Sequence, residues 1–333
     1  MRTDVIIPYF QRTPGVLMET VRSVLAQSDT QWRLLIVDDG SPHPAAKELI
    51  ALTADERARI EIIEQSNGGV SAARNRGLAA VSSDAEFVAF VDSDDHWESD
   101  HLMHAIEALG FGAAVFWGRV ETDGTFDTDS PPSKIVPAAQ REKTALTDVY
   151  TSQHMPRILT GEWWRHMHLS TLVLRAELAR QVRFDETLRN TEDFDFFRKL
   201  AEQQPLTVFS DQTSVHRGTG DNIWHNLEFS DVRIAQERFN TFRQLSKLSD
   251  LPDLTGEERD LLRLRREVAR EQFVWNQHNR RATGNPLNFA LIWRWVRTDP
   301  WILRTALRLK FGGGEATELP VHASLKDPSE PSA

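Results

Sequence analysis

The chain of 333 residues contains no cysteine. Disulfides, thiol nucleophiles and cysteine-ligated zinc are therefore excluded, and a reducing compartment is a natural fit. The sequence also lacks any apolar run near the roughly 18 residues that a membrane span requires. Met1-Arg2-Thr3-Asp4 leads straight into an apolar strand with no signal-peptide pattern, so a cytoplasmic location is expected. Positive charge is in short supply: the net charge of -10 argues against a nucleic-acid partner, which would want a cationic surface. What the chain does have is 40% hydrophobic residues at a mean hydropathy of -0.44, the mark of a water-facing globular protein with a core. Its length accommodates one large domain and a smaller one.

Four short apolar runs read as strands: Val5-Ile6-Ile7-Pro8, Arg33–Val37, Ile60–Glu64 and Phe87–Val91. Between them, helical spacing recurs at Val16, Leu17, Thr20, Val21, Val24 and Leu25, then over Ala45 to Ala58, then at Val70, Ala73, Gly77, Leu78 and Val81. Strand and helix alternate with short connections. That predicts an α/β fold with a largely parallel central sheet covered on both faces, of the nucleotide-binding type. Such sheets bind ligands beyond the carboxyl ends of their strands. The first, second and fourth strands end in Pro8-Tyr9, Asp38-Asp39-Gly40-Ser41 and Asp92-Ser93-Asp94-Asp95. Singly, each reads as a strand stop or a turn. Their shared edge makes them a candidate site. Asp92, Asp94 and Asp95 put three carboxylates in four positions, a conflict relieved by a proton or by a hard divalent cation, Mg²⁺ or Mn²⁺.

Further on, Ala113–Thr122 and Leu172–Leu174 read as strands, and Thr191 as the N-cap of a helix whose buried stripe is Phe194, Phe197, Leu200 and Ala201. Glu192 and Asp193 fall in its first turn, where the helix dipole by itself favours anions. Trp163 and Trp164 either stack on a ligand ring or fill core. From about Asp231 the text turns helical, over Val232–Leu245, Glu257–Asn279 and Pro286–Lys310. The last of these interleaves Trp293, Trp295 and Trp301 with Arg294, Arg297, Arg304, Arg308 and Lys310, and Asp299 is its one acidic residue. It reads equally as a membrane-surface helix and as a helix packed back on the domain with a basic face in water. The stretch 312–333, rich in Pro, Ser and Glu, is expected to be a disordered tail.

With these residues in view, the chain resembles a family 2 glycosyltransferase of the GT-A fold. The resemblance rests on Val5-Ile6-Ile7-Pro8-Tyr9, Val37-Asp38-Asp39-Gly40-Ser41, Asn67–Gly77, Phe90–Trp97, and Phe184-Asp185-Glu186 followed by Glu192-Asp193-Phe194. Five blocks in order span about two-thirds of the chain. The resemblance implies a GT-A catalytic domain over 1–230, with a nucleotide-sugar-binding half at 1–110 and an acceptor-binding half at 111–230, followed by a helical extension over 231–311. It implies a nucleotide-diphosphate sugar as donor and a saccharide or lipid-linked hydroxyl as acceptor, with inversion at the sugar and a role in cell-surface polysaccharide or glycolipid synthesis. Pro8, Tyr9, Asp39, Asn67, Gly69 and Arg74 would line the nucleotide pocket. Asp92, Ser93 and Asp94 would be the Asp-x-Asp turn, with Asp94 and Asp95 as metal ligands. Asp193 would be the general base on the acceptor side, supported by Glu192, with Trp163 and Trp164 nearby. A lipid-linked acceptor would suit a protein peripheral on the inner face of the cytoplasmic membrane.

The match departs in two places. Phe10-Gln11-Arg12 follows Tyr9 where the family often has Asn, and Thr219 stands at the spacing of a late metal- or phosphate-facing His. His216 and His225 are near it, and the third ligand stays unassigned. Two alternatives remain. A sugar-phosphate nucleotidyltransferase also uses an α/β sheet and Mg²⁺, although the Gly-rich loop it needs after the first strand is absent. A catalytically degenerate carbohydrate-binding module would keep the fold without the chemistry.

Overall fold

The computed structural model describes residues 2–121, 131–136, 138, 141–153, 155, 159, 167–188, 190–204, 206–216, 228–252 and 254–311. Trp163, Trp164 and the stretch 312–333 lie outside the described residues. The chain divides into two compact units, one drawn from Met1–Leu159 and Trp163–Ile223, the other from Thr160–Glu162 and Trp224–Ala333.

The first unit is built on one mixed sheet. The strands are β1 (Thr3–Tyr9), β2 (Trp32–Asp38), β3 (Ile60–Glu64), β4 (Phe87–Phe90), β5 (His96–Trp97), β6 (Val115–Glu121), β7 (Glu142–Lys143), β8 (Val149–Ser152), β9 (Val173–Arg175) and β10 (Thr207–His216). Their order is β3-β2-β1-β4-β9-β6-β10-β8-β7, with β5 on β10. The pairs β1–β2, β2–β3, β1–β4 and β6–β10 are parallel; β9 runs antiparallel between β4 and β6. The continuous apolar runs have the burial expected of strands covered on both faces. Every residue of β1 and β4 is buried.

Helix α1 (Val16–Leu25) follows β1, and α4 (Val70–Ala79) connects β3 to β4. Helix α4 lies so close to β1 that a Cβ on Gly77 would come within 2.5 Å of Ile6 Cγ2. Only glycine permits that approach. The single helix expected over Ala45 to Ala58 is instead two short ones, α2 (Ala45–Glu48) and α3 (Ala54–Arg57). Thr53 breaks it: its hydroxyl accepts from Glu56 N while Glu56 closes back on Thr53 N, a capping box that starts a new helix. Arg57 Nε then donates to Leu52 O at 3.1 Å, satisfying a carbonyl freed by the break. The rest of the unit adds α5 (His101–Leu109), α6 (Pro132–Ile135), α7 (Ala176–Gln181) and α8 (Glu192–Gln203).

The second unit is helical, with α9 (Val232–Leu248), α10 (Gly256–Ala282), α11 (Phe289–Thr298) and α12 (Trp301–Phe311). The pattern over Pro286–Lys310 is therefore broken at Asp299-Pro300, where proline removes a backbone donor and pushes the residue before it out of helical geometry. Trp295 is fully buried among Phe239, Phe242 and Phe273, with ring centroids 5.3, 5.5 and 4.3 Å away.

Candidate active site

Because β1, β2 and β4 are parallel, Tyr9, Asp38 and the residues after Phe90 emerge at one edge of the sheet. The ends are stitched together by short hydrogen bonds. Asp38 accepts from Ser41 N and Ala45 N, both at 2.8 Å. Gln11 exchanges backbone bonds with the Ser41 hydroxyl at 2.9 and 3.1 Å and donates its side-chain amide to Ser93 Oγ at 2.8 Å. Gln11 thus ties the ends of β1, β2 and β4 to one another, two residues after Tyr9.

Asp39 is 2% exposed. Its carboxylate accepts from Gln65 Nε2 at 2.7 Å and from the backbone N–H groups of Gly68 and Gly69 at 2.8 Å each. Asn67 Nδ2 donates to Asp39 O at 3.0 Å. Asp39, Asn67 and Gly69, expected in one pocket, are brought together in this way. Gly69 has φ +92°, and a Cβ on Gly68 would meet Ala72 Cβ at 2.9 Å, so the loop needs its glycine pair. Pro8 is buried and registers with Val37. Tyr9, expected beside the nucleotide, is 1% exposed and its hydroxyl donates to His43 O at 2.6 Å. Burial pushes that hydroxyl up to about 12, so it stays protonated and acts as a fixed strut in the core.

The second cluster centres on Arg74, 4% exposed. Its guanidinium donates to Asp92 Oδ1 at 2.8 Å and to Glu192 Oε1 at 3.2 Å. Burial works against its charge, but Asp92 and Glu192 outweigh that and raise its pKa further. Beneath it lies the Phe184 ring, 5.4 Å from the guanidinium carbon and stacked on Phe196 at 3.9 Å. Asn75 fixes the same segment, bonding Phe184 N at 2.8 Å, Phe184 O at 3.0 Å and Glu186 Oε1 at 2.8 Å. One turn of α4 therefore joins two parts of the chain more than a hundred residues apart.

Asp193 is half-buried beside Glu192, its Oδ1 accepting from Phe194 N at 2.7 Å. Burial first, and the Glu192 charge second, push its carboxyl up to about 7, while the Phe194 N–H and Arg74 pull the other way. Thr191 occupies the N-cap position of α8 without donating or accepting a capping bond, and sits at φ +59°. A β-branched residue in the left-handed region is strained, by about 1–3 kcal/mol.

Asp95 N donates to Asp92 O at 3.1 Å, closing a tight turn that brings the first and fourth residues of Asp92-Ser93-Asp94-Asp95 to one side. Asp92, Asp95 and His168 each offer a ligand atom within 4.8 Å of the others. The His168 Nδ1 to Asp95 Oδ2 distance is 3.6 Å. Two carboxylates and an imidazole suit Mn²⁺ or Mg²⁺, so these residues fit a divalent cation. Of the expected ligand pair, Asp95 belongs to this group; Asp94, half-buried on the same turn, stands outside it. Ser170 links the Asp92 backbone to the Asp95 carboxylate, its hydroxyl accepting from Asp92 N at 3.0 Å and donating to Asp95 Oδ2 at 2.5 Å. His216, the earlier histidine of interest, pairs instead with Glu98 at 2.5 Å and Glu121 at 3.5 Å.

The antiparallel register of β9 on β4, Ala89 opposite Val173, carries 168–170 to the Asp-rich turn. His168 and Ser170 were missed because the segment before β9 has no readable pattern. The signal available was the short strand Leu172–Leu174, had its antiparallel partner been known.

The profile of the family described as Glycosyl transferase family 2 matches residues 4–175, just over half the chain and all of the elements that carry this site except α8. The chain belongs to glycosyltransferase family 2. It is 33% identical over 320 residues to the succinoglycan biosynthesis protein ExoW of Rhizobium meliloti, covering 93% of this chain and 98% of that protein. It is 26% identical over 252 residues to the amylovoran biosynthesis glycosyltransferase AmsB of Erwinia amylovora, covering 69% and 76%. Among solved structures, TarS 1-349 of S. aureus superposes with a TM-score of 0.57 at 16% identity, covering 94% of this chain and 92% of that one. A mannosyltransferase of Pyrobaculum calidifontis in complex with GDP-Man and Mn²⁺ gives 0.56 at 13%, covering 94% and 88%. This family 2 enzyme has the GT-A fold and is a glycosyltransferase. The nucleotidyltransferase and degenerate-module alternatives are not favoured.

Proposed function

We propose that this enzyme moves a sugar, with inversion, from a nucleotide-diphosphate sugar to a hydroxyl of a saccharide or lipid-linked acceptor in cell-surface polysaccharide or glycolipid synthesis. The observation that carries the reading is Arg74 bonded at once to Asp92 and Glu192, which joins the Asp-x-Asp turn to the Glu-Asp pair. Donor machinery and base are thereby within one site. The polysaccharide setting is supported by the succinoglycan and amylovoran relatives.

In this reading Asp39, Asn67, Gly69 and Arg74 form the nucleotide side, with Ser93 and Asp94 toward the diphosphate. Asp92, Asp95 and His168 are the groups that would hold Mg²⁺ or Mn²⁺. A bound divalent cation would supply Lewis-acid stabilisation of the charge gathering on the departing nucleoside diphosphate. Asp193 takes the proton from the acceptor hydroxyl as that oxygen bonds to the anomeric carbon and the anomeric carbon–diphosphate bond breaks. A raised carboxyl suits the task, since a base is most effective when its pKa lies near the working pH. Glu192 contributes by keeping that pKa high. The enzyme works as a peripheral protein on the inner face of the cytoplasmic membrane; no helix among the described residues is long and apolar enough to cross one.

The test is a donor screen scored by nucleotide release, followed by Asp193→Asn with the best donor. The variant is expected to lose about 10²- to 10⁴-fold in kcat, while calorimetric titration of UDP or GDP with Mn²⁺ matches the parent. Full turnover by the variant would remove Asp193 from the role of base.

A further inference from the structure

Helices α11 and α12 bury one side each and leave the other bare. Leu291 and Trp295 face the helical core, and Ile302 and Thr305 are buried on α12. On the opposite sides Phe289 is 72% exposed, Trp293 63%, Trp301 59%, Leu303 53% and Leu307 59%. Phe289, Trp293 and Arg297 follow one another at four-residue intervals, so they share a face of α11; Leu303, Leu307 and Lys310 share one of α12. Large apolar side chains this open are otherwise scattered along the chain.

The charges around them have one sign. Asp299, the single carboxylate of 286–310, is 6% exposed and bonded to Arg270 Nε at 2.5 Å. Arg308, though exposed, pairs with Glu267 and Glu271, and Thr305 bonds Glu267 at 3.0 Å, which pins α12 to α10. Arg294, Arg297, Arg304 and Lys310 are exposed among tryptophan, phenylalanine and leucine, the Arg294 guanidinium 5.2 Å from the Phe239 ring and that of Arg304 5.5 Å from Trp301. On a chain of net charge -10 this local reversal is not a consequence of composition.

We propose that the outer faces of α11 and α12 lie in an anionic phospholipid surface, with Phe289, Trp293, Leu303 and Leu307 in the acyl–headgroup boundary and the arginines on lipid phosphates. This rests on the peripheral-membrane part of the proposed function and gives it a partner and residues. Tryptophan favours the boundary because its ring is apolar and its N–H is not, and arginine can bury its stem while its head stays among phosphates. A second copy of the chain is the weaker occupant, because two like faces would set arginine against arginine.

The full-length protein is floated with phosphatidylcholine vesicles and with phosphatidylcholine–phosphatidylglycerol vesicles. It is expected to float with the second and not the first, and to be released by salt. Trp293→Glu with Leu307→Glu, and separately Arg297→Glu with Arg304→Glu, should each lower the bound fraction at least about tenfold at unchanged melting temperature. Nucleotide titration on the same variants should be unchanged, so loss of lipid binding and failure of the transferase reading are read separately. The inference is overturned if the intact chain stays down with anionic vesicles, or if either variant floats like the parent. It is equally overturned if the face proves to hold two copies together, dissociating on Trp293→Glu with Leu307→Glu.

Discussion

Strands β2 and β4 lie on either side of β1 and both run out into paired aspartates, Asp38-Asp39 and Asp92 with Asp95, yet the two ends treat their carboxylates differently. At β2 the acceptors are filled by neutral donors: the backbone N–H groups of Ser41, Ala45, Gly68 and Gly69, and the amide of Gln65. Those partners belong to the loops themselves and cannot leave without unmaking them. At β4 ionisable groups join the neutral ones: Arg74 bonds Asp92, and His168 lies 3.6 Å from an Asp95 carboxylate that also accepts from the Ser170 hydroxyl. Charged side chains can exchange one another for a substrate phosphate or a cation with little backbone change. The two acidic ends thus differ in what their aspartates bond, although both follow parallel strands beside β1.

The sharpest way to break this contrast is to remove the cation that joins β4 to α8. Arg74→Met leaves Asp92 and Glu192 partly buried with an unrelieved repulsion, and losing one member of a buried ionic group costs about 3–5 kcal/mol. A large fall in melting temperature is expected, together with loss of donor binding in calorimetry. A variant that melts like the parent and still binds nucleotide would mean that Arg74 is a surface pairing after all.

A smaller effect tests the two ends against each other. Asp39→Asn replaces one acceptor oxygen by an amide that faces a backbone N–H, leaving a buried donor unsatisfied at a cost of about 1–3 kcal/mol. Its melting temperature should fall while Mn²⁺ affinity holds. His168→Ala should do the reverse, weakening Mn²⁺ binding several-fold by calorimetry with a smaller fall in melting temperature than Asp39→Asn, because the partly exposed ring gives up only its 3.2 Å bond from Ser170 N. If both variants weaken Mn²⁺ binding alike, the division of labour drawn between β2 and β4 is wrong.

These sites also mark how far the sequence could be read. Strands buried on both faces are continuous apolar runs, so β1, β2, β4 and the acidic turn after β4 were legible from residue type alone. Arg74 and Asp193 came from the resemblance to the family, since spacing alone reads Glu192 and Asp193 as ordinary acidic residues of a helix first turn. That one guanidinium spans both acidic segments depends on tertiary approach, which spacing does not encode. That the Tyr9 hydroxyl bonds His43 O was not legible, because an aromatic at a strand end looks the same whatever its hydroxyl meets. His168 was invisible because a three-residue strand, β9, delivers it by antiparallel pairing, and nothing local in its neighbourhood predicts that partner. The break at Thr53 was carried by a four-residue capping box that the apolar periodicity of 45–58 overrode.

The finest distinction between the two ends is electrostatic. Asp193, next to the charged cluster, has a carboxyl raised to about 7, mainly by burial and then by Glu192. A raised value means the native state holds this proton more tightly than the unfolded chain, whose carboxyl titrates near 4. Between those two values the unfolded state sheds the proton first, so this group's contribution to stability declines as pH rises and levels off above about 7. Asp193→Asn removes that penalty. In a chelating buffer the variant should melt close to the parent near pH 4 and above it near pH 8, with the gap opening between. The activity profile should carry the same signature: kcat/KM of the parent falls about tenfold per unit below neutrality, as protonation takes away the base. An acid limb near pH 4, with no opening gap in the melts, would show that the carboxylate beside Arg74 titrates like an ordinary surface group, and the electrostatic half of the contrast between β2 and β4 would go.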